Sequence, residues 1–419
     1  MVGTEWARAG AHADVVVVGG GPAGGAAATL LARAGLSVVI LERSLRYRDR
    51  VLGEYVLPWG VRHAMDTGLY GTFVAAGANV LTTLIHYDEG WTPARAEAEA
   101  VPLDRMVPGV PGALGVSHPG LCAALSDAAV AAGARVLRGV SDVDIRPGEH
   151  PWIAFTQHGR RHELRPRLVV GADGRESAVR RAAGMTLTQT PVLAYGTGLL
   201  IDGAKEWPDR DEAIANEDGK LCFVFPQGSG LVRLYQLVMP DRRGRFRGPG
   251  RTERFLEDFR LRSVPGADTL ADAEPAGPCA TWPMHDGWVR EPVAPGLVLI
   301  GDAAGYTNPL IGQGLSCALS DARAVAETVL EGGWEAAAFA GYAARRRERG
   351  KRLLFTVEMF ARHRCITGPG SAEHRVRAHE RMKADPLLGQ WFTYGYAGPH
   401  LAPAEAYADE VRERLWFTD

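Results

Sequence analysis

Three short stretches of this sequence combine glycines with one acid, in spacings that suit binding of a phosphate and a sugar. In the first, Gly19, Gly21 and Gly24 stand in G-x-G-x-x-G spacing, and Glu42 follows about twenty residues on. Gly19 permits a tight turn, Gly21 lets a pyrophosphate approach the backbone, and Gly24 lets a helix pack closely on a strand. Pro22 and Ala23 open that helix, whose free N–H groups and dipole stabilise phosphate charge. Glu42 is placed to accept hydrogen bonds from a ribose diol. The second stretch is Gly171-Ala172-Asp173-Gly174, and the third runs from Gly301-Asp302 to Gly312-Gln313-Gly314. Arg43 and Arg50 bound a basic loop after Glu42. They serve either the phosphates of a dinucleotide or of an incoming reductant, or a solvated surface.

The elements around these residues read as strand–helix junctions. Val15–Val18 is an apolar run fit for a buried parallel strand. Ala26 to Ala34 reads as a helix ended by Gly35, and Ser37–Leu41 as a second strand ending in Glu42. Leu168–Val170 and Leu297–Ile300 are further buried strands that run into the second and third stretches, and a helix is expected over Leu315–Leu330. A helix over Leu121–Ala132 opens after His118-Pro119-Gly120. Trp152–Gln157 and Arg161–Leu164 flank a hairpin turn at His158-Gly159. Asn79–Tyr87 reads as one strand, Trp91–Glu99 as a loop or turn, and Pro102–Gly115 as irregular connection. Between about Pro191 and Ala276 the polarity alternates along Val192–Ile201, Leu221–Phe225 and Leu231–Val238, which predicts an antiparallel sheet covering a ligand. Ala336–Phe360, Ala372–Lys383 and Glu405–Leu415 read as helices.

Bulk properties narrow the class. The chain has 419 residues, 46% of them hydrophobic and 23% charged, with a formal net charge of -2. That supports a sizeable core and offers no basic surplus for nucleic acid or anionic lipid. Apolar runs are too short to span a bilayer, and Met1–Ala13 shows no apolar leader. The five cysteines are scattered without a C-x-x-C pair, as expected of reduced thiols in a cytoplasmic protein with no metal site. The high arginine and alanine content points to a GC-rich bacterial genome.

A nicotinamide dehydrogenase explains only the first glycine stretch. FAD explains all three, because an extended flavin dinucleotide needs contacts along its whole length. Together, and above all in Leu299–Asp321 (LIGDAAGYTNPLIGQGLSCALSD), they resemble the FAD-dependent monooxygenase superfamily built on the p-hydroxybenzoate hydroxylase fold, which includes the geranylgeranyl-reductase-like and flavin-halogenase branches. The resemblance covers Asp14 to about Leu330, loosely over Pro191–Ala276. It implies an α/β protein: a Rossmann-like FAD-binding domain in three parts (1–76, 102–190, 278–335), with substrate-domain strands (77–101), an inserted antiparallel-sheet substrate domain (191–277) and a helical C-terminal region (336–419).

The resemblance also assigns residues. Asp302 is expected on the ribityl chain of the flavin and Pro309 near the isoalloxazine ring. Gly312, Gln313 and Gly314 are expected to offer backbone N–H groups to the N1–C2=O edge. Asp173 matches a position thought to touch both FAD and the nicotinamide donor, or else it is a simple turn acid. His118 stands where the family commonly has an arginine. It is expected either to contact the flavin, titrating near neutrality, or simply to begin its helix.

Gly53-Glu54 is similar to the halogenase branch, but the Trp-x-Trp-x-Ile-Pro segment and the following strand lysine of that branch are missing. Oxygenation and reduction remain. In the first, NAD(P)H reduces the flavin and O2 as co-substrate forms the C4a-hydroperoxyflavin, which hydroxylates a bulky, largely apolar or aromatic molecule, as in bacterial specialised metabolism. In the second, reduced flavin passes hydride to a carbon–carbon double bond. A flavin-binding protein without turnover is the third reading. Tyr195, Tyr235 and His285 are the candidates for proton work, or else satisfied polar groups of the core. Trp282 and Phe223 are candidates for the wall of an aromatic pocket. The C-terminal helices either close that pocket or pair with a second copy of the chain.

Overall fold

A computed structural model describes residues 13–416. Apart from Ala13, the N-terminal segment considered above for a leader lies outside the described residues. The glycine stretches sit on one six-stranded sheet. Its order is Val293–Ala294, Leu297–Leu299, Leu168–Gly171, Val15–Val18, Val38–Glu42 and Arg135–Arg138. All pairings are parallel except that of the first, edge strand. The register sets Val18 beside both Gly171 and Leu41, and Gly171 beside Leu299. The strands therefore end together, and all three glycine stretches emerge at one carboxyl edge, where open α/β sheets bind ligands. The first helix, Pro22–Arg33, packs between helices His118–Ala131 and Gly314–Leu330.

A second sheet of eight strands faces this edge. Glu274–Pro275, Ala194–Asp202, Leu231–Val238, Lys220–Gly228, Asp211–Glu217, Thr83–Asp88 and Val101–Pro102 follow in order, and Ala280–Met284 also pairs with Ala194–Asp202. It is antiparallel as expected, except that Asp211–Glu217 and Thr83–Asp88 run parallel. Its two faces do different work, because side chains alternate along each strand. One face, with Leu199, Val224, Val232 and Leu234, packs against Phe255, Phe259 and Leu270. The other, with Ile214, Phe223 and Leu237, packs against Phe360, Leu388 and Trp391 of the C-terminal helices.

Several expectations need correction. Asn79–Tyr87 is not one strand: it breaks at Thr82. Asn79–Leu81 joins a small sheet with Ala113–Gly115 and Tyr55–Val56, while Thr83–Asp88 enters the large sheet. Trp91–Glu99 contains a helix, Pro93–Ala98, with Pro93 in its first turn and the Thr92 side chain accepting from Arg95 N–H. Strand Asp211–Glu217 went unread because its acids mask the apolar alternation. Helix Pro386–Ala397 also escaped, although Asp385 caps it and Pro386 opens it. The C-terminal helices are tied to the large sheet by Arg375, which pairs with Asp88 at 2.5 Å and Glu89 at 2.9 Å. No described helix is long and apolar enough to cross a membrane.

Candidate active site

A cavity of about 740 Å³ lies between the carboxyl edge of the parallel sheet, the large sheet and the C-terminal helices. At one end are Gly19, Gly21, Pro22, Ala23, Glu42, Arg43 and Arg50. Gly19 has φ +103°, and a Cβ there would lie 2.4 Å from the Ala172 carbonyl oxygen. A Cβ on Gly24 would lie 1.9 Å from the Gly19 oxygen, so both glycines are required by close backbone contact. Gly21 differs: a Cβ there meets no protein atom within 4 Å and would point into the cavity. The helix it precedes has no side-chain cap, so first-turn N–H groups are left for an anion. The buried Glu42 carboxylate is held by Gly20 N–H and Ser44 N–H, each at 2.7 Å, which leaves lone pairs for a diol.

Midway along the cavity the acids divide their roles. Asp173 turns its carboxylate onto its own chain, accepting from Ser177 Oγ at 2.5 Å, Ala178 N–H at 2.6 Å and Val179 N–H at 3.1 Å. The turn-acid alternative thus accounts for both of its oxygens. Among the described residues the Asp302 carboxylate pairs with Arg175, at 3.2 Å, and lines the cavity with it. Asp302→Ala is expected to lower FAD content sharply while leaving the unfolding midpoint close to wild type, because this half-exposed, solvent-screened pair contributes little to stability. Flavin absorbance per protein after purification measures the first and urea denaturation the second. His118 lies 3.2 Å from the Gly53 carbonyl and lines the cavity. Burial holds its imidazole below the usual range.

At the other end, Pro309–Ile311 forms a short 3-10 turn that closes at Gly312, φ +63°. Gly312 N–H is already given to the Pro309 carbonyl at 3.0 Å. The Gln313 side chain is buried, accepting from Trp59 Nε1 and donating to the Gly395 carbonyl, both at 3.0 Å. Backbone N–H groups from Gln313 onward, at an uncapped helix start, remain for a ligand. Gly314 lines the cavity, and a Cβ there meets nothing within 4 Å.

Of the three proton candidates only Tyr235 lines the cavity. Tyr195 projects to the opposite face of its strand, against the apolar cluster behind the sheet, while its neighbour Gly196 faces the cavity. The cause is the two-residue side-chain period. His285 contacts Tyr306, with ring centroids 5.4 Å apart, and is not part of the lining. Trp282 and Phe223 do line it, joined by Tyr55, Ile214, Phe225, Leu237, Met284, Phe360, Phe392 and Tyr396.

The sequence did not reveal the polar network behind this wall. Tyr235 donates to Glu54 Oε2 at 2.8 Å. The fully buried Arg233 donates to Glu54 Oε1 at 2.8 Å and Asp49 Oδ2 at 2.7 Å. Burial raises the Glu54 carboxyl and Arg233 opposes that shift. Between the two acids Val51 sits at φ +60°, a strained position for a β-branched residue. Glu54 stood in the sequence beside Gly53, but nothing local to either signalled a partner on a distant strand.

A cradle with phosphate-facing N–H groups, a diol acceptor and a long cavity fits FAD. The comparisons with known proteins agree. The chain matches the FAD binding domain family over residues 12–356 and belongs to it, as an FAD-dependent oxidoreductase. A digeranylgeranylglycerophospholipid reductase from Methanosarcina acetivorans is 29% identical over 177 residues, 41% of this chain and 42% of that protein, so the match spans less than half of the relative. Among solved structures, a flavoprotein/dehydrogenase from Cytophaga hutchinsonii superposes with TM-score 0.78 at 17% identity, covering 97% of this chain and 96% of that one. The p-nitrophenol 4-monooxygenase of Pseudomonas putida superposes with TM-score 0.74 at 19% identity, covering 96% and 98%. These likenesses establish the fold. Monooxygenases, halogenases and reductases share it.

Proposed function

We propose that the protein is an FAD-dependent monooxygenase that hydroxylates a bulky, largely apolar or aromatic small molecule, with NAD(P)H as reductant and O2 as co-substrate. The observation that carries this reading is the aromatic wall facing Pro309–Gly314. Phe223, Phe225 and Trp282 come from the sheet, and Phe360, Phe392 and Tyr396 from the C-terminal helices. Such a wall accepts a flat apolar molecule and excludes water. When bound, FAD supplies the two-electron chemistry. The chain holds the cofactor through Gly19–Gly24, Glu42, Asp302 and Gln313–Gly314. The Tyr235 hydroxyl donates its hydrogen bond to Glu54, so its oxygen lone pairs stay available to a substrate hydroxyl. Arg233, bonded to the same Glu54, fixes that orientation.

NAD(P)H oxidation with O2 uptake, assayed over phenolic and lipid compounds, tests the proposal. A true substrate is expected to stimulate both together. Reduction of a carbon–carbon double bond is the second reading, supported by the similarity to the Methanosarcina reductase. It would show NAD(P)H oxidation without matching O2 uptake.

A further inference from the structure

A second tyrosine–carboxylate pair reaches the same cavity, and it differs from the first in charge. Tyr55 lines the cavity, and its hydroxyl lies 2.9 Å from Glu212 Oε1, donating when that carboxyl is ionised. Its ring lies against the flavin-edge turn: a Cβ on Gly312 would stand 2.9 Å from Tyr55 Cδ1. Glu212 is 1% exposed, and among the described residues its Oε2 has no hydrogen-bond partner. Where Glu54 has Arg233, Glu212 has no ion pair among the described residues. Among the described residues, no cation acts on it. Leu84 pairs with it on the adjacent strand, the Phe225 ring lies 4.8 Å from that of Tyr55, and Tyr396 of the C-terminal helices adds a phenol that feels its charge. The guanidinium that acts on Tyr396 and His86, Arg364, is paired with Asp88 at 3.7 Å, and Glu212 is shifted by burial and by its bond with Tyr55 alone.

A buried carboxyl with no counter-charge keeps its proton. Burial pushes Glu212 up to about 8, so it is an acid at neutral pH. Protonated, it can donate to Tyr55, which frees the Tyr55 hydroxyl to donate into the cavity. We propose that Tyr55 and Glu212 form a proton relay for the reaction in this cavity, with Tyr55 as the group that touches the reacting molecule and Glu212 as the store behind it. Tyr55 gives its hydroxyl proton to an anionic oxygen or carbon on that molecule. The resulting phenolate takes the proton of Glu212, leaving a carboxylate that solvent later reprotonates. No electrons move in this step. It rests on the reading that flavin chemistry occurs here, and it serves hydroxylation of a phenol and saturation of a double bond alike.

The test uses FAD-loaded protein and needs no substrate. If the flavin is held with its anionic edge toward Gly312, reduction would add negative charge there, and a nearby carboxyl would hold its proton more tightly. The flavin midpoint potential of wild type, measured against pH, is expected to show a break in the mildly alkaline range from proton uptake at Glu212. Glu212→Gln is isosteric and can still bond Tyr55, so a purely structural role predicts no change. The relay predicts that the break disappears in Glu212→Gln, returns at a shifted pH in Glu212→Asp, and weakens in Tyr55→Phe, with FAD content unchanged in all. Superimposable curves for wild type and Glu212→Gln would overturn the relay. Wild-type protein that takes up no FAD would instead overturn the reading beneath it, and its absorbance spectrum reveals this before any titration.

Discussion

A Gly21→Val variant is expected to fold normally and to lose FAD. Its φ of -72° and ψ of -174° are open to any residue, so valine adds no backbone strain. A Cβ at this position meets no protein atom within 4 Å, so it displaces nothing in the chain. What it meets is the ligand, at the helix start where a pyrophosphate must approach the backbone. Forcing a side chain into a filled space costs about 1–3 kcal/mol, which corresponds to a loss of affinity of roughly fivefold to 150-fold. Flavin content and a titration with added FAD measure it, with the unfolding midpoint as control. Gly24→Ala provides the contrast: its Cβ collides with the Gly19 carbonyl at 1.9 Å, so that variant is expected to lose stability and flavin together.

The largest expected effect on stability belongs to Asp321→Asn. Asp321 is fully buried, accepts from Gly301 N–H at 2.9 Å and Arg349 Nη2 at 2.5 Å, and also pairs with Arg346. Arg346 in turn donates to the carbonyls of Gly301 and Gly305 at 3.1 and 2.6 Å. One carboxylate is thus the shared counter-charge of two largely buried guanidiniums and pins the turn that carries Asp302. Asparagine has a single acceptor oxygen and no charge. Removing one member of a buried ionic network costs about 3–5 kcal/mol because the remaining charges stay buried. Urea unfolding should show a loss of that order, with weaker FAD retention. A change within about 0.5 kcal/mol, the range of ordinary surface substitutions, would mean that Asp321 is not the anchor described.

What could be read in the sequence was what is local. The G-x-G-x-x-G spacing and Glu42 share one βαβ unit, so spacing alone carries their geometry. Asp302, Pro309 and Gly314 likewise lie on one continuous segment between strand Leu297–Leu299 and helix Gly314–Leu330. The proton chemistry was less legible because it depends on pairing across strands. Tyr195 and Tyr235 looked equivalent, yet they lie on paired strands with the register Tyr195↔Val238 and Gly198↔Tyr235, on opposite faces of the sheet. The Tyr55–Glu212 contact joins residues 157 positions apart, and its strand, Asp211–Glu217, reads as polar. Burial, which no window of sequence reports, makes Glu212 an acid. The C-terminal region could be recognised as helical, but its place against the cavity rests on Arg375 reaching Asp88 and Glu89.

Isotope labelling tests the proposed oxygenation most directly. The compound that stimulates NAD(P)H oxidation is converted under 18O2, and its product is weighed by mass spectrometry. Monooxygenation predicts one heavy oxygen in the product and no turnover without O2. A product that gains two hydrogens and no oxygen, formed equally well under anaerobic conditions, would contradict it and establish the reductase reading.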